Sequence, residues 1–446
     1  MRKIVMNMIR EREKGSKMTS RRVLLSSAAL AVCTWVGSGM TASAGEFYQQ
    51  CPGPVNAEGE VLDGVGGQVI RMDGTTTSID LPAASVCYHI VGGDGFIRMA
   101  DGTPLYSFGF SPLADGQNPG TRALKSNLPA PLIRAVQGQK VYLTMSNVPF
   151  IIRPDLFDPH SVHWHGFPNA SAVFDGVPDN SISPNPLSSM TYFYNVARPG
   201  TFMYHCHVEA AEHMQMGMVG NLYVEPAQDF LPDGADLNGF THNTGDRYAY
   251  NDGDGSTYFD IEIPLQINSY DGAFHKAHYN VQPLPFAEME DTYPMFNGRG
   301  YPDTIRTDVF LNANPDFPGT TGTGLETFAQ PLSSLISAAP GDKVLLRISS
   351  LSTVDYYTLV SPDLKMQVVG QGSEQRVGPD LGAGSPSKAY YNTHQLTLGG
   401  GQSYDVIIDI PDNASGDIFF LYTSNLNQLA NDQQDYGGMM TEIHVQ

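Results

Sequence analysis

Six of the twelve histidines fall in two short clusters. The first is His160-Ser161-Val162-His163-Trp164-His165. The second is His205-Cys206-His207-Val208-Glu209-Ala210-Ala211-Glu212-His213, and Met218 follows it. Imidazole, thiolate and thioether are the side chains that hold borderline and soft transition metals. Along a strand, side chains alternate faces with a period of two. His163 and His165 therefore share a face, as do His205 and His207, while Cys206 points the other way. His160 is an odd number of residues from His163, so it can turn to the face opposite that pair. Parity alone sorts the clusters into two metal sites. One gathers four imidazoles; the other gathers His160, Cys206, His213 and Met218.

The second set is the ligand list of a blue-copper site, two His, one thiolate and a weak axial Met, and it favours copper over zinc. Cys206, His213 and Met218 sit on one loop, with His160 brought in from a distant strand. The four imidazoles suit copper that meets oxygen or water. Cys206 is bonded through the backbone to both His205 and His207, a short covalent path for electrons between the sites. His89, His242, His394 and His444 read as ordinary satisfied histidines. Met214 and Met216 read as packing filler. Glu209 and Glu212 read as solvated charges, although so placed they would also favour a cationic or metal-ion donor.

The elements that must position these groups are strands. With 46 Gly, 31 Pro and 16% charged residues in 446, the chain reads as many short strands joined by turns, not as a helical bundle. Lys140 to Val148 alternates, with Val141, Leu143 and Met145 on one face. Met190 to Val196, Gly200 to Val208 and Gly220 to Val224 follow at sandwich-like intervals. Residues 227 to 256, rich in Asp, Gly and Asn, read as a solvated linker. A second series runs through Tyr258 to Ile267, Lys343 to Leu351, Lys365 to Val369, Gln395 to Leu398, Tyr404 to Ile410, Ile418 to Thr423 and Met440 to Val445. Two β domains are expected, 45–226 and 257–446, with residues 45 to 125 unassigned beyond some short strands.

Lys+Arg is 25 against Asp+Glu 46, a formal charge of −21. Such a surface repels phosphate backbones and anionic lipid, so nucleic acid is excluded as a partner. Residues 1–44 concentrate eight of the basic groups. Ser20-Arg21-Arg22 opens a short apolar stretch that ends in Ala42-Ser43-Ala44, the pattern of a twin-arginine-like export signal cleaved after Ala44. The expected location is periplasmic or secreted, with no membrane span in the mature chain. Export favours a Cys51–Cys87 disulfide and leaves Cys206 as the odd thiol.

His160 to Gly166 and Gly200 to Val219 resemble the copper motifs of the multicopper oxidases, the laccase-like family of cupredoxin domains. Asn127-Leu128-Pro129-Ala130-Pro131 and Phe174-Asp175-Gly176-Val177-Pro178 also resemble that family. In the second half, Phe296 to Thr304 and Gly401 to Asp405 resemble its copper-free domain. The resemblance covers about residues 125 to 446. It implies an all-β fold of two cupredoxin-like Greek-key sandwich or barrel domains. It also implies His160, Cys206, His213 and Met218 as type 1 copper ligands, His163 as a type 2 ligand, and His165, His205 and His207 as type 3 ligands. Asp175 would be an acid near the oxygen-reducing cluster, supplying protons, or simply a turn residue before Gly176.

A full trinuclear cluster in that family takes four H-x-H pairs, and this chain has two. His242, His275, His278, His394 and His444 form no such pair, and His275 and His278 would not share a strand face. Three accounts compete: another polypeptide, a homotrimer or a lost third domain supplies the missing pairs; a smaller copper centre uses the four imidazoles, with or without a second-domain His across an oligomer interface; or only the type 1 site is loaded. The expected activity is one-electron oxidation of a small-molecule or metal-ion donor coupled to dioxygen reduction. The alternatives are a non-catalytic blue-copper carrier or copper-tolerance protein, or a nitrite-reductase-like enzyme.

Overall fold

The computed structural model describes Cys51 and residues 65–70, 76–81, 85–114, 117–167, 171–311, 328–379 and 387–446. The expected export signal lies outside the described residues. The chain divides into a unit of residues 1–45 and a unit of residues 46–446. The second unit is all-β in character: among the described residues only Ala210–Met216 and Gly272–Tyr279 are α-helical.

Two four-stranded sheets form the first sandwich. One has the order Pro104–Pro112, Ser85–Arg98, Lys140–Asn147, Ser188–Asn195. The other has the order Ile133–Val136, Val219–Glu225, Gly200–His205, His163–His165. The sandwich thus begins at Ser85, and the stretch left unassigned from sequence supplies two of its eight strands. Val141, Leu143 and Met145 are fully buried, as the alternation predicts. Each contributes roughly 1.5–3 kcal/mol by leaving water, so a one-residue slip would cost several kcal/mol and the register is fixed. That register matters for the site. Asn147, at the end of the strand, donates through Nδ2 to the carbonyls of Asp158 (2.7 Å) and Pro184 (2.9 Å). The Pro184 carbonyl also accepts from the His160 N–H, so the strand end pins the loop that carries His160.

A second sandwich follows. Its larger sheet runs Tyr293–Phe296, Ile261–Tyr270, Lys343–Ser350, Gln402–Asp409, Met366–Gln371, Glu374–Gln375; its smaller runs Ile336–Ala338, Met440–Val445, Ile418–Thr423, Tyr357–Val360, Gln395–Leu398. Leu265, Ile267, Leu346, Ile348, Val406 and Ile443 are among its buried core. The expected solvated linker is instead folded. Ala227, Leu231, Leu237 and Tyr248 bury against Val136. Asp252, fully buried, accepts from Gln228 Nε2 and from the N–H groups of Asp254, Gly255 and Thr257. Its many acidic residues serve as turn-closing acceptors, which composition does not distinguish from solvation.

The halves are joined by buried and part-buried polar contacts. Arg134 meets Glu262 at 2.5 Å, Thr201 Oγ1 donates to Asp405 at 2.5 Å, and Ser373 Oγ donates to the Thr201 carbonyl at 2.7 Å. Arg347, fully buried, pairs with Glu262 and lies 3.4 Å from Asp405. The Cys51–Cys87 disulfide forms as expected, and Cys206 is free and buried.

Candidate metal centre

Strands His163–His165 and Gly200–His205 pair antiparallel, with His163 opposite His205. Beyond His205 the chain leaves the sheet, runs through helix Ala210–Met216 and returns at Val219. Three backbone hydrogen bonds close this loop: Cys206 N–H to Met218 O (3.1 Å), Met218 N–H to His213 O (2.9 Å) and Gly217 N–H to His213 O (3.1 Å). Gly217 has φ +122°, and a Cβ there would stand 2.6 Å from the Phe108 carbonyl. Only glycine lets the loop lie this close to the neighbouring strand. The loop brings Cys206, His213 and Met218 to one place.

His160, Cys206 and His213 offer ligand atoms within 4.8 Å of one another, and all three are buried. Cys206 Sγ is 3.2 Å from His213 Nδ1 and accepts the Ser161 N–H at 3.4 Å. A Cβ built on Gly92 would meet His160 Cδ2 at 2.9 Å and the Met218 methyl at 3.3 Å. The imidazole and the thioether therefore converge on the same bare stretch of backbone. Burial would push the Cys206 thiol up, but the charges and hydrogen bonds of His213 and His160 together outweigh it and bring the group down to about 5. The sulfur is thus held as thiolate, the form that binds metal. His160 is wholly buried, yet neither ring nitrogen has a hydrogen-bond partner, and His213 Nε2 is likewise unpartnered. Buried polar atoms are rarely left so, at a cost of roughly 1–3 kcal/mol each. A cation between His160, the thiolate and His213 Nδ1 would partner one of the orphaned His160 nitrogens, while His213 Nε2 faces Asp158 instead, and this donor set fits copper.

The other histidines of the clusters meet on the opposite side. His165 Nε2 lies 3.0 Å from His205 Nε2. Ring centroids are 5.3 Å apart for His163 and His205 and 4.9 Å for His163 and His207. The strand ends at His205, short of the expected Val208. His207 nonetheless stacks on His205 at 5.6 Å, so the parity holds past the end of the sheet. Nδ1 of His163 donates to the Asp175 carbonyl at 2.6 Å, and Nδ1 of His205 to the Cys206 carbonyl at 2.7 Å. These bonds fix the tautomer and leave Nε2 free to bind metal. Burial lowers the pKa of His163 and His165 and brings His205 down to about 3. The lone pairs therefore stay unprotonated at neutral pH. Ligands of this kind suit copper as well.

Asp175 holds His163 through its main chain; its half-buried carboxylate is 3.7 Å from the same Nδ1. Gly176, φ +78°, packs so tightly that a Cβ would stand 2.1 Å from the Val162 carbonyl. The second half also reaches the cluster: a Cβ on Gly401 would lie 3.1 Å from His165 Nδ1. Sequence reasoning did not single out Gly401 for that position.

The remaining histidines do not join either group. His242 bonds Tyr248 OH, His394 bonds the Ser361 carbonyl, and His444 bonds Glu442. His275 and His278 lie on helix Gly272–Tyr279, not on a strand. His275 faces the carbonyls of Tyr106 (2.6 Å) and Gln215 (2.9 Å); His278 Nε2 pairs with Glu212 at 2.8 Å. Glu212 is thus buried against a histidine instead of solvated, whereas Glu209 is exposed. Met216 packs in the core and Met214 against a neighbouring cluster, as filler would. A residue the sequence reading passed over is Asp158, two positions before His160. Its Oδ2 is 3.7 Å from His213 Nε2. With Glu209, Glu212 and Arg153 it lines a cavity of about 510 Å³ on the outer side of His213.

Residues 113–229 and 278–443 each match a multicopper oxidase family profile, and together they take in more than half of the chain. The chain is 25% identical over 313 residues to Laccase-2 of Cryptococcus neoformans var. grubii, covering 70% of this chain and 44% of that protein. It is 24% identical over 322 residues to copper resistance protein A of Escherichia coli, covering 70% and 46%. The chain therefore spans less than half the length of these relatives. Among solved structures, the blue copper oxidase of Nitrosomonas europaea superposes with a TM-score of 0.56 at 20% identity, over 80% of this chain and 85% of that one. The two sandwiches are cupredoxin-like. On its profiles, its relatives and its fold, the chain belongs to the multicopper oxidase family.

Proposed function

We propose that this is an exported, laccase-like copper oxidoreductase that takes electrons singly from a donor and passes them to dioxygen. The observation that carries the reading is the buried His160–Cys206–His213 triad with its unpartnered ring nitrogens. His160, Cys206, His213 and Met218 would hold type 1 copper, His163 type 2 copper, and His165, His205 and His207 type 3 copper. Copper so bound supplies one-electron redox chemistry on one side of the Cys206 strand end and oxygen reduction on the other.

The chain's own residues do the rest. Cys206 links both sides through its peptide bonds to His205 and His207. Burial of the triad excludes water, which favours electron transfer with little rearrangement. Asp158, Glu209 and Glu212 make the cavity beside His213 acidic, which draws a cationic or metal-ion donor towards it. Asp175, half in solvent and next to His163, is placed to carry protons inwards. With only four imidazoles of this chain in the second group, a second copy, as in a homotrimer, or a partner protein would complete a trinuclear set. The twin-arginine-like start supports a periplasmic or secreted location.

One observation favours a second reading, a blue-copper electron carrier or copper-tolerance protein: no histidine of the second half approaches the four-imidazole group among the described residues. Copper counting on the purified protein, with oxygen uptake, decides between them. Several coppers per chain and turnover of a phenol, a metal ion or cuprous copper support the oxidase. One copper and no oxygen uptake support the carrier.

A further inference from the structure

A second cavity, of about 610 Å³, lies between the edge strand Pro104–Pro112 and helix Gly272–Tyr279. Four of its walls are the rings of Phe96, Tyr106, Tyr279 and Tyr293, with Lys276 and Asp432 as polar groups. Its size and aromatic lining suit a small planar ligand. The lining does not stop at the cavity. Tyr279, partly exposed, packs on Tyr106 with ring centroids 5.9 Å apart. Tyr106 meets Phe108 edge-on at 5.7 Å, and Phe108 meets His213 edge-on at 5.6 Å. Tyr106 and Phe108 are almost wholly buried. An unbroken file of rings therefore runs from the cavity to the imidazole that faces Cys206, with an entrance separate from the acidic cavity beside Asp158, whose His278 packs on both Tyr106 and Phe108.

Tyr106 is also equipped to lose an electron. Its hydroxyl donates to Asp94 Oδ2 at 3.1 Å. Asp94 is fully buried and accepts the Ile151 and Ile152 N–H groups at 3.1 and 2.8 Å. A carboxylate stabilised by three donors can take the phenolic proton when the ring is oxidised, so no charge is stranded in the core.

We propose that this cavity is a second donor site, for electron-rich arenes such as phenols, wired to His213 through Tyr106 and Phe108. The proposal rests on His213 holding type 1 copper. Tyr106 loses one electron towards the cupric ion, which becomes cuprous, and its O–H proton moves to Asp94. The bound phenol then gives one electron to the Tyr106 radical and the proton returns from Asp94. The phenol leaves as a phenoxyl radical after releasing its own proton to solvent at the open mouth.

The test uses 2,6-dimethoxyphenol and two variants. Ala273→Trp, at an exposed position on the helix lining the cavity, blocks the mouth; Tyr106→Phe keeps the ring and removes the proton-coupled step. Binding is read by saturation-transfer NMR on metal-free protein. Electron transfer is read as anaerobic bleaching of the blue band, as the ratio of the rate with dimethoxyphenol to that with hexaammineruthenium(II), a cation suited to the acidic cavity. Metal-free wild type and Tyr106→Phe bind the phenol and Ala273→Trp does not, while the rate ratio falls at least about tenfold in both variants. No binding to wild type, binding that survives Ala273→Trp, or an unchanged ratio in either variant overturns the proposal. A wild-type protein with no blue band after copper loading overturns the type 1 reading and this inference together; a blue band with unchanged ratios overturns this inference alone.

Discussion

His160 has the most to gain from a metal ion: its ring is sealed from water, and both nitrogens lack partners. Cys206 has the complementary property, a thiolate 3.2 Å from His213 with no sulfur partner of its own. Replacing the thiolate by a hydroxyl removes the charge-transfer donor, so Cys206→Ser is expected to abolish the intense visible absorption of the copper-loaded protein. A variant that stays blue contradicts the ligand assignment. Gly176 acts on the other group. Its left-handed φ and the 2.1 Å approach of a Cβ to backbone leave no room for a side chain. Gly176→Ala is expected to lose about 1–3 kcal/mol in chemical denaturation of the metal-free protein and to loosen His163. Denaturation unchanged within error would show that the turn relaxes freely.

The elements explain which of these residues were legible in the sequence. The two-residue period of strands was enough to put Cys206 opposite His205 and His207, because the alternation set in the sheet runs on past His205, where the strand ends. The loop from Cys206 to Met218 was legible through its residue types. Its helix, and the role of Gly217 in seating it on Phe108, were not, since that contact spans over a hundred residues. Asp158 and Gly401 were missed for the same reason: each reaches a histidine only through tertiary packing, which no local pattern encodes. The 227–256 segment misled because acidic turn residues look alike in water and in a folded cap. At this scale the two sides of the Cys206 strand end should separate. His207→Ala is expected to keep the blue band and reduce oxygen uptake to background. Loss of colour in that variant would mean that the two groups of histidines are one site.

Across the whole molecule, Glu262 of the second half gathers cations from both sides: the buried Arg347 of its own half, and the part-exposed Arg134 and Arg247 from before it. Burial alone would raise the pKa of Glu262, but Arg347, then Arg134 and Arg247, hold it down to about 2. Because this folded value lies below the ordinary 4.5, the stabilisation is complete above about pH 4.5 and is lost as the pH falls towards 2. The thermal midpoint of the metal-free protein is expected to drop across that window, and Glu262→Gln to flatten the drop. The same variant, by leaving Arg347 short of a partner, is expected to cost about 3–5 kcal/mol at neutral pH. A midpoint insensitive to both the acid and the substitution would contradict this view of the interface.

The most direct test of the central claim is copper stoichiometry measured together with electron paramagnetic resonance on the purified, copper-loaded chain. The expected result is more than one copper per chain, with a narrow-hyperfine type 1 signal that disappears in Cys206→Ser while a second copper remains. Copper bound without that type 1 signal, or a signal that survives the loss of the thiolate, would contradict it.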